Sequence, residues 1–175
     1  LEAGHHVFLA LADGRVFCLP DGYEVHDRSL DDIRAVLRPA FTPSQVAALD
    51  GAAVWCRGLD GSEYLPGVVG LNNLKATDYA AAVVHALLRA RPLRDALLLR
   101  PPPPRGAPAD SALLGTLCEL ARKMWNPRGF KGHVSPHEFM QAVQAASGKR
   151  FRTDAQGDPV ELLSWLLHSL HLSLI

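Results

Sequence analysis

The segment Gly70-Leu71-Asn72-Asn73-Leu74-Lys75-Ala76-Thr77-Asp78 constrains this chain more than any other stretch. A turn rich in Gly and Asn runs without a break into a helix that has to lie in a core. Tyr79, Val83, Ala86, Leu87 and Ala90 recur at helical spacing, and the stripe they form is broad enough for the middle of a domain. Thr77 is placed as N-cap and Asp78 in the first turn. Unpaired N–H groups and the positive end of the helix dipole favour a thiolate or a carboxylate at such a position. Asp78 suits the place electrostatically. As an acyl-transfer nucleophile it is poor, because its attack on an amide gives a high-energy mixed anhydride. On these residues alone, the segment is an ordinary capped helix without chemistry.

The remainder of the C-terminal half is also helical by pattern. Asp110 to Trp125 carries Leu113, Leu117, Leu120, Ala121 and Met124 on one face, with Arg122 and Lys123 in the last turn, where cations complement the dipole. Ser135-Pro136-His137-Glu138 and Asp158-Pro159-Val160-Glu161 each join a capping residue to a Pro at the first helical position and a Glu two residues later. A helix is expected to start at each. Val160, Leu163, Trp165, Leu166, Leu167 and Leu170 make the last helix apolar over most of its surface, so it is expected to be largely buried. Pro92 is expected to end the Asp78 helix, with residues 93–99 adding a turn or two. Pro101-Pro102-Pro103-Pro104-Arg105-Gly106-Ala107-Pro108 excludes helix and central strand, which leaves an extended spacer or a ligand for an aromatic groove.

In the N-terminal part, the strand-like runs His6 to Leu11 and Arg15 to Leu19 flank Ala12-Asp13-Gly14, a hairpin signal. Ser29 with Asp32, and Thr42-Pro43 with Gln45, predict short helices over 29–38 and 43–50 that read as a linker. Ala52-Ala53-Val54-Trp55-Cys56 has the composition of a buried edge. The chain starts without Met and ends on the apolar Leu172-Ser173-Leu174-Ile175, so both ends read as cuts in a longer protein.

Charge and cysteine usage exclude several classes. Lys plus Arg and Asp plus Glu number 18 each, so no bulk field draws the chain to nucleic acid or to an acidic membrane. No stretch has the length and apolarity of a membrane span, and no basic-then-apolar leader opens the sequence. Cys18, Cys56 and Cys118 form no Cys-x-x-Cys pair, which points to a reducing compartment and buried thiols. His168 and His171, three apart on one helix, have a spacing that suits a metal. No carboxylate partner recurs at a suitable spacing for them or for His133 and His137, and packing is the better reading.

The turn and helix start resemble the cysteine box of the ubiquitin-specific proteases, Gly-Leu-x-Asn-x-Gly-Asn-Thr-Cys-Tyr-Met-Asn, with Asp78 in the place of the cysteine. Ala76 stands for the oxyanion-stabilising Asn, Lys75 for the Gly and Ala81 for the second Asn. Losing one oxyanion donor costs about 100- to 1,000-fold in rate. Gln156-Gly157-Asp158-Pro159-Val160-Glu161-Leu162-Leu163 is similar to the Gln-Gln-Asp-Ala-His-Glu-Phe-Leu helix of the same family, in the right order and at the right distance. Tyr64-Leu65-Pro66-Gly67-Val68-Val69-Gly70, Trp125-Asn126-Pro127-Arg128 and Ser135-Pro136-His137-Glu138-Phe139 narrow the resemblance to the inactive, tri-snRNP-associated members of the spliceosome (Sad1-type). It covers nearly the whole chain.

The resemblance implies an α+β fold: a mainly helical, papain-like thumb portion of a ubiquitin-specific protease, preceded by the C-terminal β-hairpin of a zinc-finger UBP module. Residues 1–27 would close that module, 28–62 would form the helical linker, and 63–175 the N-terminal part of the protease-like domain. Ala76 and Asp78 become degenerate catalytic positions. His5, the first of a His-His pair before an apolar strand, would be a zinc ligand whose partners lie upstream of this chain, whereas on residues alone it is a solvated end. Cys18-Leu19-Pro20-Asp21 occupies the place of a Cys-x-x-Cys in zinc-rich relatives, and with Asp21 breaking the pair Cys18 reads as a core thiol. The implied role is nuclear and non-catalytic, a factor of the tri-snRNP in pre-mRNA splicing, with proteins of that particle, including its large helicase, as partners. Weak ubiquitin binding without cleavage is the alternative, and an active deubiquitinase a more distant one. RNA contact has no basic motif behind it.

Overall fold

The computed structural model describes residues 4–10, 14–101 and 109–174, without the side chains of 109–111 and 172–174. The hairpin tip at Ala12-Asp13, the proline-rich stretch beyond Pro101 and the terminal Ile175 lie outside the described residues. Strands β1 (His6–Leu9) and β2 (Val16–Leu19) pair antiparallel with Phe8 opposite Phe17, as the Asp-Gly signal implies. A third strand, β3 (Tyr23–Glu24), adds to β2 and was not legible in the sequence. Gly22, with φ +73°, donates its N–H to the Cys18 carbonyl at 2.7 Å and closes the turn between β2 and β3. Alternation along β2 buries Val16 and Cys18 on one face.

The linker helices lie against the helical body. Asp27, not Ser29, accepts the Ser29 N–H and starts a short 3₁₀ turn (Arg28–Leu30) that leads into α1 (Asp31–Leu37). Helix α2 (Pro43–Ala48) carries the reciprocal Thr42–Gln45 box that its sequence predicts. Val46 joins the main core, and Asp50 just beyond α2 accepts from Arg94 at 3.0 Å and from Arg91 at 3.2 Å. Strands β4 (Cys56–Arg57) and β5 (Glu63–Tyr64) form a small antiparallel pair. The expected buried edge does not form: Val54 and Trp55 are 68% and 65% exposed, because the pairing begins only at Cys56.

Five helices build the core: α3 (Asp78–Leu87), α4 (Arg91–Leu99), α5 (Ala109–Trp125), α6 (His137–Ala146) and α7 (Pro159–Leu174). Helix α5 packs against α4, α6 and α7, and α3 packs against α7. Every member of the predicted α5 stripe is buried. Of the predicted stripe, Tyr79, Val83 and Leu87 on α3 are buried, whereas Ala86 and Ala90, the latter beyond the end of α3, are exposed. Pro92 begins α4 instead of ending α3, since its missing N–H is no loss in a first turn. Helix α6 starts one residue later than its signal implies, with Pro136 at the N-cap and no side-chain cap. Helix α7 is capped as expected, Asp158 accepting from the Val160 and Glu161 N–H groups at 2.7 and 2.9 Å. Its burial is narrower than expected. Leu162, Leu166 and Leu170 are buried at i, i+4 spacing, whereas Val160 and Leu167 are exposed, because neighbours cover a single face.

The C-terminal end of α5 joins these parts. A Cβ at Gly67 would lie 2.6 Å from the Trp125 ring, and the Gly67 N–H reaches the Met124 carbonyl at 2.7 Å. The guanidinium of Arg94 sits 4.9 Å from the Trp125 ring centroid and that of Arg89 5.7 Å from it. Tyr64 donates its hydroxyl to the Asn126 carbonyl and accepts the Gly129 N–H. Asn126, 4% exposed, donates its amide to the Ala35 carbonyl at the end of α1. Asn126→Ala therefore leaves a partly buried carbonyl without its amide donor and is expected to cost about 1–3 kcal/mol in urea unfolding. Arg128→Ala, which removes an exposed pair with Asp32, is expected to cost at most about 1 kcal/mol. Equal effects from the two variants would show that the Asn126 joint does not hold the linker.

Candidate functional site: the turn before α3

A short parallel pair, β6 (Gly70–Leu71) with β7 (His133–Val134), anchors the turn, and the Asn72 N–H extends it by donating to the Val134 carbonyl. Beyond it the chain closes on itself. Asn73 Oδ1 accepts from the Thr77 N–H at 2.9 Å and from its hydroxyl at 3.2 Å, while Thr77 Oγ1 accepts the Leu74 N–H at 2.9 Å. Thr77 holds the N-cap position but its side chain caps nothing, because it is committed to the turn and buried there. Asn73 was missed as a site residue; the liking of Asn side chains for turn backbone was the available signal.

Lys75 lies inside this closed turn with φ +102°, in the left-handed region. Such a conformation costs a non-glycine residue about 1–3 kcal/mol, so the turn keeps a geometry made for glycine after the glycine has gone. The Ala76 N–H is taken by the Thr153 carbonyl at 3.0 Å, and its methyl side chain supplies no donor.

Asp78 is the first residue of α3 and is exposed. Its Oδ2 accepts from Gln156 Nε2 at 3.0 Å. That hydrogen bond is the main reason its carboxyl is held below the usual carboxylate range; slight burial opposes it, and the N–H groups of Tyr79 and of Asp78 itself add to it. The two stretches singled out in the sequence, 70–87 and 156–171, meet at this contact. A second contact supports it: the Tyr79 hydroxyl donates to the Arg152 carbonyl at 3.1 Å, and burial, helped by the charge of Asp78, pushes that hydroxyl's pKa up. A Cβ at Gly157 would lie 2.6 Å from the Tyr79 ring, so only glycine lets the 152–157 loop come this close. None of the three cysteines lies in the turn.

His5 is placed at the start of the β-sheet, where its Nδ1 is 3.1 Å from Asp21 Oδ2 and 3.7 Å from Cys18 Sγ. Cys18 is fully buried, as a core thiol should be, and its sulfur nonetheless faces the imidazole. One donor atom from each of His5, Cys18 and Asp21 lies within 4.8 Å of the others, a nitrogen, sulfur and oxygen set that fits zinc. Among the described residues no such cluster includes His133, His137, His168 or His171.

Residues 69–175 match the ubiquitin carboxyl-terminal hydrolase family, and the chain belongs to that family. It is 49% identical to ubiquitin carboxyl-terminal hydrolase 39 of Homo sapiens across 99% of its own length and 32% of that protein. It is 39% identical to the probable mRNA-splicing protein ubp10 of Schizosaccharomyces pombe, covering 98% of this chain and 33% of that one. A crystal structure of an essential yeast splicing factor superposes with a TM-score of 0.78 at 26% identity, over 95% of this chain and 40% of the other. The chain spans about a third of the length of the curated relatives it matches. The mixed, mainly helical α+β fold expected from the sequence is the ubiquitin-specific-protease fold observed.

Lys75→Gly is expected to stabilise the chain by about 1 kcal/mol, the relief of the left-handed strain less the larger unfolded-state entropy of glycine. Thermal or urea unfolding reads it, and a loss of stability would mean that the Lys75 side chain itself holds the turn. Because the folded carboxyl of Asp78 titrates below its unfolded value of about 4, its contribution is complete above that pH and is lost as pH falls through the folded value. The stability gap between the parent and Asp78→Asn should accordingly shrink on acidification below about pH 4. A gap that widens there would contradict the Gln156 contact.

Proposed function

We propose that this chain belongs to a non-catalytic scaffold of the spliceosomal tri-snRNP, acting in the nucleus in pre-mRNA splicing. The observation that carries the reading is Asp78 at the nucleophile's place, with its carboxylate held by Gln156. A carboxylate there cannot do thioester chemistry, and Ala76 offers no side-chain donor for an oxyanion. The likeness to proteins named for splicing, one in fission yeast and one in a solved yeast structure, supports the assignment to the spliceosome. With its reactive turn closed, the fold is free to serve as a surface for proteins of the particle, among them its large helicase. Balanced charge speaks against RNA as the main contact.

Purification of the tagged chain from nuclear extract should recover tri-snRNP proteins above a tag-only control. Recovery of none of them would overturn the assignment.

The same fold supports a second reading, recognition of ubiquitin without cleavage. Titration of labelled ubiquitin with the chain separates the two: saturable shifts at micromolar affinity favour recognition, and unchanged spectra at millimolar concentration favour the scaffold. We propose also that His5 binds zinc. The family resemblance and the N, S and O donors around it support this.

A further inference from the structure

We infer that the cavity between α1, the end of α5 and β7 is a docking site for an extended peptide that carries an aromatic side chain between acidic residues. The inference rests on the scaffold reading for its purpose and adds the surface and the partner chemistry. The cavity measures about 150 Å³. An apolar cavity of about that size holds a benzene ring, so the side chain of a Phe fits it. The floor is apolar. Tyr64 and Val69 belong to the buried core, and Val36 of α1 and Val134 of β7 are half-buried. Its polar groups are already committed: the Tyr64 hydroxyl lies between the Asn126 carbonyl and the Gly129 N–H, and the Asn126 amide donates to the Ala35 carbonyl. Such a floor selects an apolar guest.

The surrounding backbone holds the cavity in shape. A Cβ at Gly129 would lie 2.9 Å from the Tyr64 hydroxyl, one at Gly132 3.2 Å from the Tyr64 Cβ, and one at Gly58 2.7 Å from the Phe130 carbonyl. The Leu59 and Asp60 N–H groups donate to the Gly129 and Phe130 carbonyls at 3.4 and 3.1 Å. Phe130 lines the cavity and is still 54% exposed, and Leu59 on the adjoining backbone is 60% exposed. A site formed in advance loses little freedom on binding. Charge sets the flanks of the guest. Residues 120–137 hold Arg122, Lys123, Arg128 and Lys131 and no Asp or Glu, in a chain balanced at 18 of each sign. Arg122 is spent on the Leu98 and Arg100 carbonyls at the end of α4, and Arg128 pairs with Asp32, which leaves Lys123, Lys131 and His133 on the cavity. Lys131 forms no ion pair among the described residues, and the nearby Asp60 carboxylate is taken by the Ser62 N–H and hydroxyl at 2.9 and 2.6 Å. Lys123 meets Glu138 at 3.4 Å in an exposed pair of little strength, which a ligand carboxylate can displace. RNA phosphates would meet the same cations, but a base is read by hydrogen bonds that this floor does not offer.

Titration of the full chain, labelled at its valine methyl groups, with the peptide acetyl-Glu-Glu-Phe-Glu-Glu-amide tests this by NMR. The expected result is saturable binding at about 100 µM, weak because it has one anchor and a few screened charges, with methyl shifts at Val36, Val69 and Val134. Exchanging the peptide's Phe for Ala, or its Glu residues for Gln, should weaken binding about tenfold or more. Lys131→Glu and Phe130→Ala should do the same while the circular dichroism stays that of the parent; should either variant misfold, the altered peptides, which leave the chain untouched, decide. No methyl shift at millimolar peptide, shifts confined to other valines, or undiminished binding of the peptide without Phe would overturn the inference. Tighter binding of a uridine-rich oligonucleotide at the same methyl groups would overturn it in favour of RNA. None of these results touches the scaffold reading, which falls only if nuclear extract yields no tri-snRNP proteins.

Discussion

The end of α5 is the constraint on which the other parts depend. Trp125 lies between the backbone of Gly67 and the guanidinium groups of Arg89 and Arg94, and Asn126 fastens both Tyr64 and α1 to the same spot. Glycine at position 67 permits the close approach, since any side chain there would overlap the indole. From Gly67 only two residues separate this joint from β6, whose pairing with β7 sets the start of the turn before α3. The linker, the small sheets and the reactive turn are therefore positioned from one helix end, and the apolar stripe of α5 fixes that end in the core.

Within the turn, the backbone frame is closely held, and a carboxylate stands at the helix start. Asn73 and Thr77 still close it, Tyr79 still ties it to the 152–157 loop, and Lys75 still takes the left-handed conformation at a cost that glycine would avoid. The Ala76 N–H is spent on the Thr153 carbonyl, and the Asp78 carboxylate holds the Gln156 amide. The negative charge that a substrate would develop is already present as a side chain.

Patterns carried by local chemistry were legible in the sequence. The Thr42–Gln45 box, the Asp158 cap and the α5 stripe need only neighbours along the chain, and they fold as written. What the sequence hid depends on distant partners. The exposed face of α7 reflects the number of helices that pack on it, which hydrophobicity alone does not reveal. Thr77 fails as a cap because its hydroxyl oxygen already accepts the Leu74 N–H, and Val54 and Trp55 are exposed because pairing starts at Cys56. At the site, the identity of Asp78 and Ala76 was plain, while the Gln156 bond and the Thr153 carbonyl required two segments to meet in space. The approach of Cys18 and Asp21 to His5 was hidden likewise, since β3 and its turn were not legible.

The proposed scaffold role requires that the turn before α3 forms no covalent adduct with ubiquitin. Incubation of the full chain with ubiquitin bearing a C-terminal thiol- and carboxylate-reactive electrophile, followed by intact-mass analysis, tests it most directly. The expected result is a mass unchanged from that of the unmodified chain, while an active ubiquitin-specific protease in the same tube is fully captured. A stoichiometric ubiquitin adduct on this chain, mapped to the turn before α3, would contradict it.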